Sequence, residues 1–305
     1  MQTNKNNFKI GLFAPADYID KNKFQKAIYN FKSKIKNIEI IAAPNIFKKR
    51  GLFAGTVEQK LADIKYLIDA NVDMLMAIKG GYGSARFIEN LDYSKFLKTK
   101  ISIMGYSDLT ALLIAAYSQT KIPMFYGYML VSDFYESISA EQIKLFYRAI
   151  NRQTFSYSFE KCKIIKQTKI KKINGIAIAG CLSVLCGLAG TRFSKVFENN
   201  NILFLEDINE EPYKIDRMIT HLKNADFFKN TKCLFVDFNN CKASEKNKGT
   251  ISIKTALLEI LGDYNFPIIN FPHFGHRKKR KIIPIGYNAE INFAISEIKF
   301  NPNAK

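Results

Sequence analysis

The sequence contains few of the side chains that build metal and disulfide centres, with three histidines and five cysteines among its 305 residues. Because the cysteines are odd in number and form no C-x-x-C pair, neither a disulfide framework nor a zinc ribbon is predicted. The H-E-x-x-H motif is missing, and His273 and His276 have no pair of carboxylates near them in the sequence. We therefore predict no metal site.

Long apolar segments are also missing. The longest uncharged run, residues 174–191, is rich in glycine and barely reaches membrane-spanning length, so it is predicted to form a buried strand, turn and helix. Residues 1–7 are polar, and the apolar stretch at residues 8–14 is short and interrupted by Lys9, which does not fit a cleavable signal peptide. We therefore expect a cytoplasmic protein with no membrane partner.

Acidic residues are outnumbered: 27 Asp and Glu face 46 Lys and Arg, which gives a formal net charge of +19. This charge raises the alternative of a basic nucleic-acid-binding protein, which would require a clustered basic face. The basic residues are spread along the whole chain, however, and no nucleic-acid-binding motif is recognisable, so no nucleic-acid partner is predicted. The one dense block, Arg277–Lys281, either steers an acidic substrate or is a solvated loop.

Strand and helix patterns alternate through the first half of the chain, which predicts an α/β fold with a parallel sheet covered on both faces. Strands are predicted at residues 9–14, 38–43, 74–78, 101–104 and 123–128, and helices at residues 21–32, 57–70, 84–90 and directly after Ser107. Residues 131–170 are polar and lysine-rich and contain one helical pattern, at residues 140–150, which is typical of a connector. The predicted organisation is an N-terminal domain at residues 1–130, the connector, and a C-terminal domain at residues 171–305.

Two loops at predicted carboxyl ends of strands are rich in special residues. Gly80–Gly83 lacks the third glycine of a dinucleotide fingerprint, because Arg86 stands in its place, so no nicotinamide or flavin cofactor is predicted. The bare N–H groups of such a turn suit an oxyanion hole instead. In the second loop, Ser107 lies between a short apolar strand and an apolar helix that Asp108 or Thr110 would cap. This pattern is related to a nucleophile elbow, and it is also that of an ordinary helix cap.

A nucleophilic serine requires a base and a carboxylate that orients it. His273 and His276 follow a strand-like run and are both candidates for the general base, whereas His221 lies within a helix pattern and is predicted to be structural. Glu206 directly ends an apolar run and is the preferred carboxylate. The acidic stretch that it begins, residues 206–211, would alternatively serve only to favour the start of the next helix.

Taken together, these residues resemble the LD-carboxypeptidases, a family of serine peptidases that also includes the microcin-C self-immunity peptidases. The resemblance runs from Phe8 to about Ala289 and depends on motifs in a fixed order. They are Gly80-Gly81-Tyr82-Gly83, Gly105-Tyr106-Ser107-Asp108, Leu205-Glu206-Asp207 with Tyr213-Lys214-Ile215-Asp216-Arg217, and Gly275-His276 with Pro284-Ile285-Gly286.

The resemblance implies that Ser107 is the nucleophile, His276 the base and Glu206 the residue that orients it, with an oxyanion hole from backbone N–H groups near Gly81 and Asp108. It implies a flavodoxin-like N-terminal domain joined to a smaller β/β/α C-terminal domain, with the site between them, usually as a homodimer. The implied activity is removal of the terminal D-alanine from murein tetrapeptides during cytoplasmic cell-wall recycling.

Departures from the family pattern affect the substrate pocket rather than the implied triad. Lys79 stands where the family usually has arginine, Tyr126-Gly127-Tyr128 replaces His-Gly-Pro, and Ala179-Gly180-Cys181 replaces Gly-Gly-Asn. Arg86 and Arg217 are candidates for binding the terminal carboxylate of the substrate, and either could instead form surface ion pairs.

Aromatic residues keep a second substrate class open. A peptidyl-nucleotide substrate, as in the microcin-immunity relatives, would require aromatic residues that stack on a base. Tyr82, Tyr126 and Tyr128 are the candidates for that role.

Overall fold

The computed structural model of the chain describes residues 8–136 and 138–302, and it divides into two compact units, Met1–Gln153 and Thr154–Lys305. The first unit contains these strands and helices: β1 (Phe8–Phe13), α1 (Lys21–Lys34), β2 (Ile38–Ala42), α2 (Val57–Asp69), β3 (Met74–Ala77), α3 (Tyr93–Thr99), β4 (Ser102–Gly105), α4 (Thr110–Thr120), β5 (Met124–Tyr126), α5 (Leu130–Phe134) and α6 (Ala140–Ile150).

The strands of the first unit form a parallel sheet in the order β5-β4-β3-β1-β2. This is the strand order of flavodoxin-like folds, so the expected architecture is confirmed. β3 and β4 are buried along their whole length, as expected for a parallel sheet covered by helices on both faces. The carboxyl ends of β3 and β4 lie side by side, and each is followed by one of the loops singled out in the sequence.

Local signals explain where several helices begin. Asp20 accepts hydrogen bonds from the N–H groups of Asn22 and Lys23 at the start of α1. Thr56 with Gln59, and Ser139 with Gln142, form complete capping boxes at the starts of α2 and α6. These short-range hydrogen bonds satisfy N–H groups that the first helical turn leaves without partners.

One predicted helix is wrong. Residues 84–90 form two short 3₁₀ turns, Ser84–Arg86 and Ile88–Asn90, instead of an α-helix. The segment begins at Gly83, whose φ of 125° is incompatible with a helix, and the Ser84 N–H is hydrogen-bonded to the Asp108 carboxylate. Tertiary contacts therefore override the helical pattern here.

The second unit contains β6 (Phe155–Ser158), β7 (Lys163–Lys166), β8 (Lys172–Cys181), α7 (Leu182–Cys186), β9 (Asn201–Ile208), α8 (Pro212–Asn224), β10 (Thr231–Asn239), α9 (Ile253–Leu261), β11 (Ile268–Asn270), β12 (Ile283–Ile285), β13 (Asn288–Asn292) and β14 (Glu297–Asn301). Within the described residues it holds a sheet of eight strands in the order β6-β14-β13-β8-β9-β10-β11-β7. Strands β8 to β11 are parallel neighbours, and antiparallel strands complete both edges.

The two units are of almost equal length. Residues 131–170 were predicted to be a connector. They supply α5 and α6 to the first unit, and the edge strands β6 and β7 to the sheet of the second.

A core of phenylalanines holds the centre of the second sheet. Phe204 on β9 stacks on Phe235 of β10 with ring centroids 4.7 Å apart. Phe271 and Phe274, which lie in the loop after β11, pack edge-on against Phe204. This packing fixes the loop that leads into His276 on the same sheet. None of the helices in the described ranges is long and apolar enough to cross a bilayer.

Candidate active site

Ser107 lies at a strained turn directly after β4. Its φ is 63°, in the left-handed region, which costs a residue with a side chain about 1–3 kcal/mol and is typical of functional turns. Two side chains hold this conformation: the Tyr126 hydroxyl accepts the Ser107 N–H at 3.2 Å, and the Thr110 hydroxyl donates to the Ser107 carbonyl at 2.7 Å. These two hydrogen bonds therefore fix the backbone that carries the serine hydroxyl.

The loop after β3, residues 79–84, is called the glycine loop below, and it lies against Ser107. A side chain added at Gly80 would place its Cβ 3.5 Å from the Ser107 Oγ. At Gly81, φ is +126° and a Cβ would lie 2.1 Å from the Asp17 Cγ, so glycine is required there. Backbone of the glycine loop can therefore approach the serine closely.

Most N–H groups at the far end of the glycine loop are occupied. Asp17 accepts the Tyr82 N–H at 3.2 Å, and Asp108 accepts the N–H groups of Gly83 at 3.1 Å and Ser84 at 2.8 Å. These three N–H groups are therefore not bare. Within residues 8–136 and 138–302, the N–H groups of Gly81 and Asp108 donate to no acceptor, and these are the two assigned to the oxyanion hole by resemblance.

Asp108 is not the helix cap that the sequence suggested. The residue preceding α4 is Leu109, which forms no side-chain cap, and the carboxylate of Asp108 turns back to the glycine loop. Thr110 is the first helical residue and bonds the Ser107 carbonyl instead of capping an N–H group.

In the second unit, Glu206 and His276 form a close pair. The His276 Nδ1 lies 2.8 Å from the Glu206 Oε2, and the side chain of Glu206 is only 1% exposed. β9 continues past Glu206 to Ile208, which places Glu206 within the sheet beside Cys181 of β8 and Asp237 of β10. A buried carboxylate on the sheet fixes the orientation of the imidazole ring.

One close backbone approach and two sets of hydrogen bonds fix the segment around His276. Gly275 has a φ of +62°, and a Cβ there would lie 2.4 Å from the Glu206 Cδ, so the close approach of histidine and glutamate requires this glycine. Arg277 donates two hydrogen bonds to Asp237, from Nε at 2.7 Å and from Nη2 at 2.5 Å. The Asn239 side chain donates to the His276 carbonyl at 2.9 Å.

Burial controls the ionisation of the groups around this pair. Burial raises the pKa of Asp237, and the hydrogen bonds and charge of Arg277 oppose that rise. Burial also raises the pKa of Asp207, against the N–H groups of Ser183 and Ile208 that its carboxylate accepts. The pKa of the Cys181 thiol is raised well above its usual value by burial and by the nearby Glu206 charge, which argues against a thiolate nucleophile.

The other sequence candidates for base and carboxylate have different contacts. The His273 ring packs edge-on against Phe271 at 5.0 Å, and Glu210 forms an ion pair with Lys214 at 3.0 Å. The His276 Nδ1 and the Glu206 carboxylate form the histidine–carboxylate pair described above. This contact supports His276 as the base.

The candidate substrate-binding residues are all on the surface. Tyr82 is 61% exposed and packs beside Phe53, and the exposed Arg86 places its guanidinium 4.7 Å above the Phe53 ring. Arg217 is exposed on α8. Tyr82 and Arg86 therefore share Phe53 as a neighbour.

The basic block Arg277–Lys281 is not a uniform solvated patch. Arg277 is paired with Asp237, and Arg280 is buried and donates to the Arg277 carbonyl. Lys281 lies 4.8 Å from the Tyr157 ring centroid, and only Lys278 and Lys279 are classed as exposed. The two arginines therefore hold the loop after His276 instead of facing a substrate.

Sequence reasoning missed the residues that support the site. Asp17 bonds the glycine loop, and Asp237 and Arg277 bond each other beside His276, although none of the three belongs to the motifs that carried the resemblance. A possible signal was the position of Asp237 near the end of an apolar strand, which is the place where working groups collect in parallel sheets.

Fold and site together define a two-unit α/β protein with a serine elbow on one sheet and a buried glutamate–histidine pair on the other. The family model of the LD-carboxypeptidase N-terminal domain matches residues 10–127, and that of the LD-carboxypeptidase C-terminal domain matches residues 174–291. The chain belongs to the LD-carboxypeptidase family, and the resemblance seen in its motifs is confirmed.

Curated relatives and solved structures cover nearly the whole chain. The probable murein peptide carboxypeptidase of Bacillus subtilis is 29% identical over 288 residues, which are 93% of this chain and 89% of the relative. The crystal structure of muramoyltetrapeptide carboxypeptidase from Oxalobacter formigenes has a TM-score of 0.83 at 25% identity, covering 97% of this chain and 100% of the other.

A second branch of the family is equally similar in fold. The microcin C7 self-immunity protein MccF of Escherichia coli is 24% identical over 317 residues, covering 93% of this chain and 90% of the relative. The structure of MccF in its wild-type apo state has a TM-score of 0.88 at 20% identity, covering 99% of this chain and 98% of the other. At that identity the structural match supports the fold alone.

Proposed function

We propose that this protein is a serine-type LD-carboxypeptidase that removes the terminal D-alanine from murein tetrapeptides. The observation that carries the proposal is the 2.8 Å contact between the His276 Nδ1 and the buried Glu206 Oε2. The left-handed φ of Ser107, which follows a buried strand as in a nucleophile elbow, supports the serine as nucleophile. The names of the Bacillus and Oxalobacter relatives support the substrate.

The first step is acylation of Ser107. With its Nδ1–H donated to Glu206, His276 takes the Ser107 Oγ proton at Nε2 while the oxygen attacks the carbonyl carbon before the terminal D-residue. The developing oxyanion is stabilised by backbone N–H groups of Gly81 and Asp108, each worth about 3–4 kcal/mol in sites of this type. Glu206 stabilises the imidazolium that forms.

The second step releases the D-amino acid. The imidazolium returns its proton to the leaving amine as the C–N bond breaks, which leaves an acyl ester on Ser107. A water molecule then attacks the ester, and His276 accepts one of its protons and passes it to the Ser107 Oγ. The shortened peptide leaves as a carboxylic acid, which ionises as its proton is taken up by the amino group of the released D-amino acid. No net proton is gained by the triad over the cycle.

A carboxypeptidase must also bind the terminal carboxylate of its substrate. Arg86 and Arg217 are the proposed ligands, since both are exposed guanidinium groups with no carboxylate partner in the described ranges. Arg86 is held in place by Phe53, and Tyr82 beside it offers an exposed ring for the peptide stem. Preorganisation makes Arg86 the stronger candidate of the two.

Burial of two tyrosines argues against the peptidyl-nucleotide alternative. Tyr126 and Tyr128 are 1% and 0% exposed, so neither offers a ring face for stacking on a base. Tyr126 instead bonds the Ser107 N–H. Of the three aromatic residues considered for base stacking, Tyr82 is the one with an exposed ring, and a murein peptide is the better supported substrate.

Two further properties are proposed from family membership. We infer that the protein acts in the cytoplasm, where murein peptides are recycled, and that it forms a homodimer without a nucleic-acid partner. Light scattering coupled to size exclusion measures the dimer directly, and a mass of one chain, 34.9 kDa, would refute it.

The test of the proposed function is release of D-alanine from a free or disaccharide-linked murein tetrapeptide, compared with cleavage of a peptidyl-adenylate analogue. Ser107→Ala and His276→Ala are each expected to lower kcat by at least about 10³-fold, because members of a triad act as a unit. Ser33→Ala and His221→Ala, at exposed helical positions, are matched controls that retain activity. Retention of more than about a tenth of the wild-type rate by Ser107→Ala, with contaminating peptidase excluded, would refute the serine mechanism.

A further inference from the structure

We propose that Asp17 and Asp108 are positioning residues that occupy the N–H groups of residues 82–84, so that Gly81 presents its N–H group to the oxyanion beside Ser107. This inference rests on the proposed function, because it concerns how the oxyanion hole of that reaction is built. Neither carboxylate was assigned such a role by the motifs or by the family match.

The hydrogen-bond partners of the glycine loop change partway along it. The N–H groups of Tyr82, Gly83 and Ser84 all end on carboxylate oxygens. Those of Gly80 and Gly81 donate to no acceptor within the part of the chain that the structure describes. Unpaired N–H groups next to a nucleophile are what an oxyanion requires, since they bind its charge without breaking an existing hydrogen bond.

Asp108 links the glycine loop directly to the residue that precedes it, Ser107. It directly follows Ser107, and its carboxylate bonds two consecutive N–H groups of the loop at 3.1 and 2.8 Å. The Ser84 hydroxyl returns a hydrogen bond of 2.5 Å to the Asp108 carbonyl. A displacement of the loop relative to the serine would therefore break three hydrogen bonds made by one residue.

Asp17 supports the loop from its other side. One oxygen accepts the Tyr82 N–H at 3.2 Å, and the other lies 3.3 Å from the Lys79 Nζ. The carboxylate occupies the space that a side chain at Gly81 would need. Asp17 thus contacts both ends of the glycine loop and packs directly on the residue proposed as oxyanion donor.

A buried cation balances these two carboxylates. The Lys60 ammonium donates to the carbonyls of Ala14 and Ala16, at 3.1 and 3.0 Å, in the segment that leads to Asp17. Burial lowers the pKa of Lys60 to about 8, and the charges of Asp108 and Asp17 oppose that fall. Burial raises the pKa of Asp108, and the hydrogen bonds that its carboxylate accepts from Ser84 and Gly83 oppose that rise.

The experiment compares Asp108→Asn and Asp17→Asn with wild type on the murein tetrapeptide. Asparagine keeps the size of the side chain but offers one acceptor oxygen, so at Asp108 one loop N–H faces an NH₂ group. We expect kcat to fall by about 10–100-fold for Asp108→Asn and less for Asp17→Asn, with KM within about twofold, because displaced oxyanion donors act in the transition state. Affinity for a tetrapeptide analogue that ends in a boronic acid should fall in parallel with kcat.

Asp73→Asn is the matched control, because Asp73 also accepts a backbone N–H, from Lys9 at 2.8 Å, at the opposite end of β3 from the glycine loop. Hydrogen exchange of residues 79–84 should become faster in Asp108→Asn and stay unchanged in the control. If Asp108→Asn does not fold, Ser84→Ala and Asp17→Asn provide the same comparison.

The inference is refuted if Ser107→Ala abolishes activity while Asp108→Asn and Asp17→Asn both keep kcat and boronate affinity within about twofold of wild type. It is also refuted if losses in these variants are confined to thermal stability. If Ser107→Ala stays active, the proposed function itself fails, and the two failures are therefore distinguishable.

Discussion

Replacing Glu206 by glutamine should disable the histidine while leaving the fold in place. Glutamine has the shape of glutamate, so no cavity forms in the sheet, and its oxygen can still accept the His276 Nδ1–H. What disappears is the negative charge 2.8 Å from the ring nitrogen, in a site where the carboxylate is 1% exposed. In the proposed reaction, that charge stabilises the positively charged imidazolium of the transition state more than it stabilises the neutral imidazole of the ground state.

The size of the effect follows from Coulomb's law. Two unit charges whose centres are about 4 Å apart interact by about 4 kcal/mol at an effective dielectric constant of 20. Because each 1.36 kcal/mol is tenfold in rate, kcat should fall by about 10³-fold. The loss would be larger if the glutamine NH₂ group turned to Nδ1 and held the ring in the wrong tautomer, which costs about 10⁴-fold in a comparable triad.

The assay is single-turnover release of D-alanine with thermal unfolding measured on the same preparations. Asp207→Asn and Glu210→Gln are the controls, because the Asp207 carboxylate accepts backbone N–H groups and Glu210 pairs with Lys214. Both should lose much less activity than Glu206→Gln. A wild-type-like kcat for Glu206→Gln, or a greater loss for Glu210→Gln, would show that a different carboxylate orients the base.

Three further variants test the second unit. Arg277→Gln leaves Asp237 buried without its guanidinium, so the pKa of Asp237, already raised by burial, rises further. We expect a loss of about 2 kcal/mol in the free energy of unfolding at pH 8, which is typical of a lost hydrogen bond to a charged group. The loss shrinks as the pH falls through that raised pKa and the carboxyl becomes neutral, as thermal denaturation at several pH values would show. Gly275→Ala should lower kcat by at least about tenfold, because it forces His276 away from Glu206, and a crystal structure of the variant would reveal that displacement. Lys278→Gln with Lys279→Gln should raise KM for the acidic tetrapeptide only at low ionic strength, and an unchanged KM there would assign both lysines to a solvated loop.

Local patterns in the sequence were sufficient for the elements whose signals are short-range. The helical pattern at residues 140–150 matches α6 because a capping box and an amphipathic repeat both lie within that window. The strand patterns of the first half fall within one or two residues of β1 to β5, since buried parallel strands are continuous apolar runs. The motifs, in their order, were sufficient for the family.

Tertiary structure alone decided which candidates meet. Glu206 and His276 are 70 residues apart in the chain, and their contact arises because a strand and the loop after another strand meet on one sheet. The carboxylate of Asp108 was expected to cap its own helix, yet it bonds N–H groups 24 and 25 residues earlier in the glycine loop. A side chain near a helix start has several N–H groups within reach, and only the packing of neighbouring strands determines which of them it binds. Arg277 likewise belongs to a basic run in the sequence, and it becomes a structural residue because Asp237 on β10 lies opposite it.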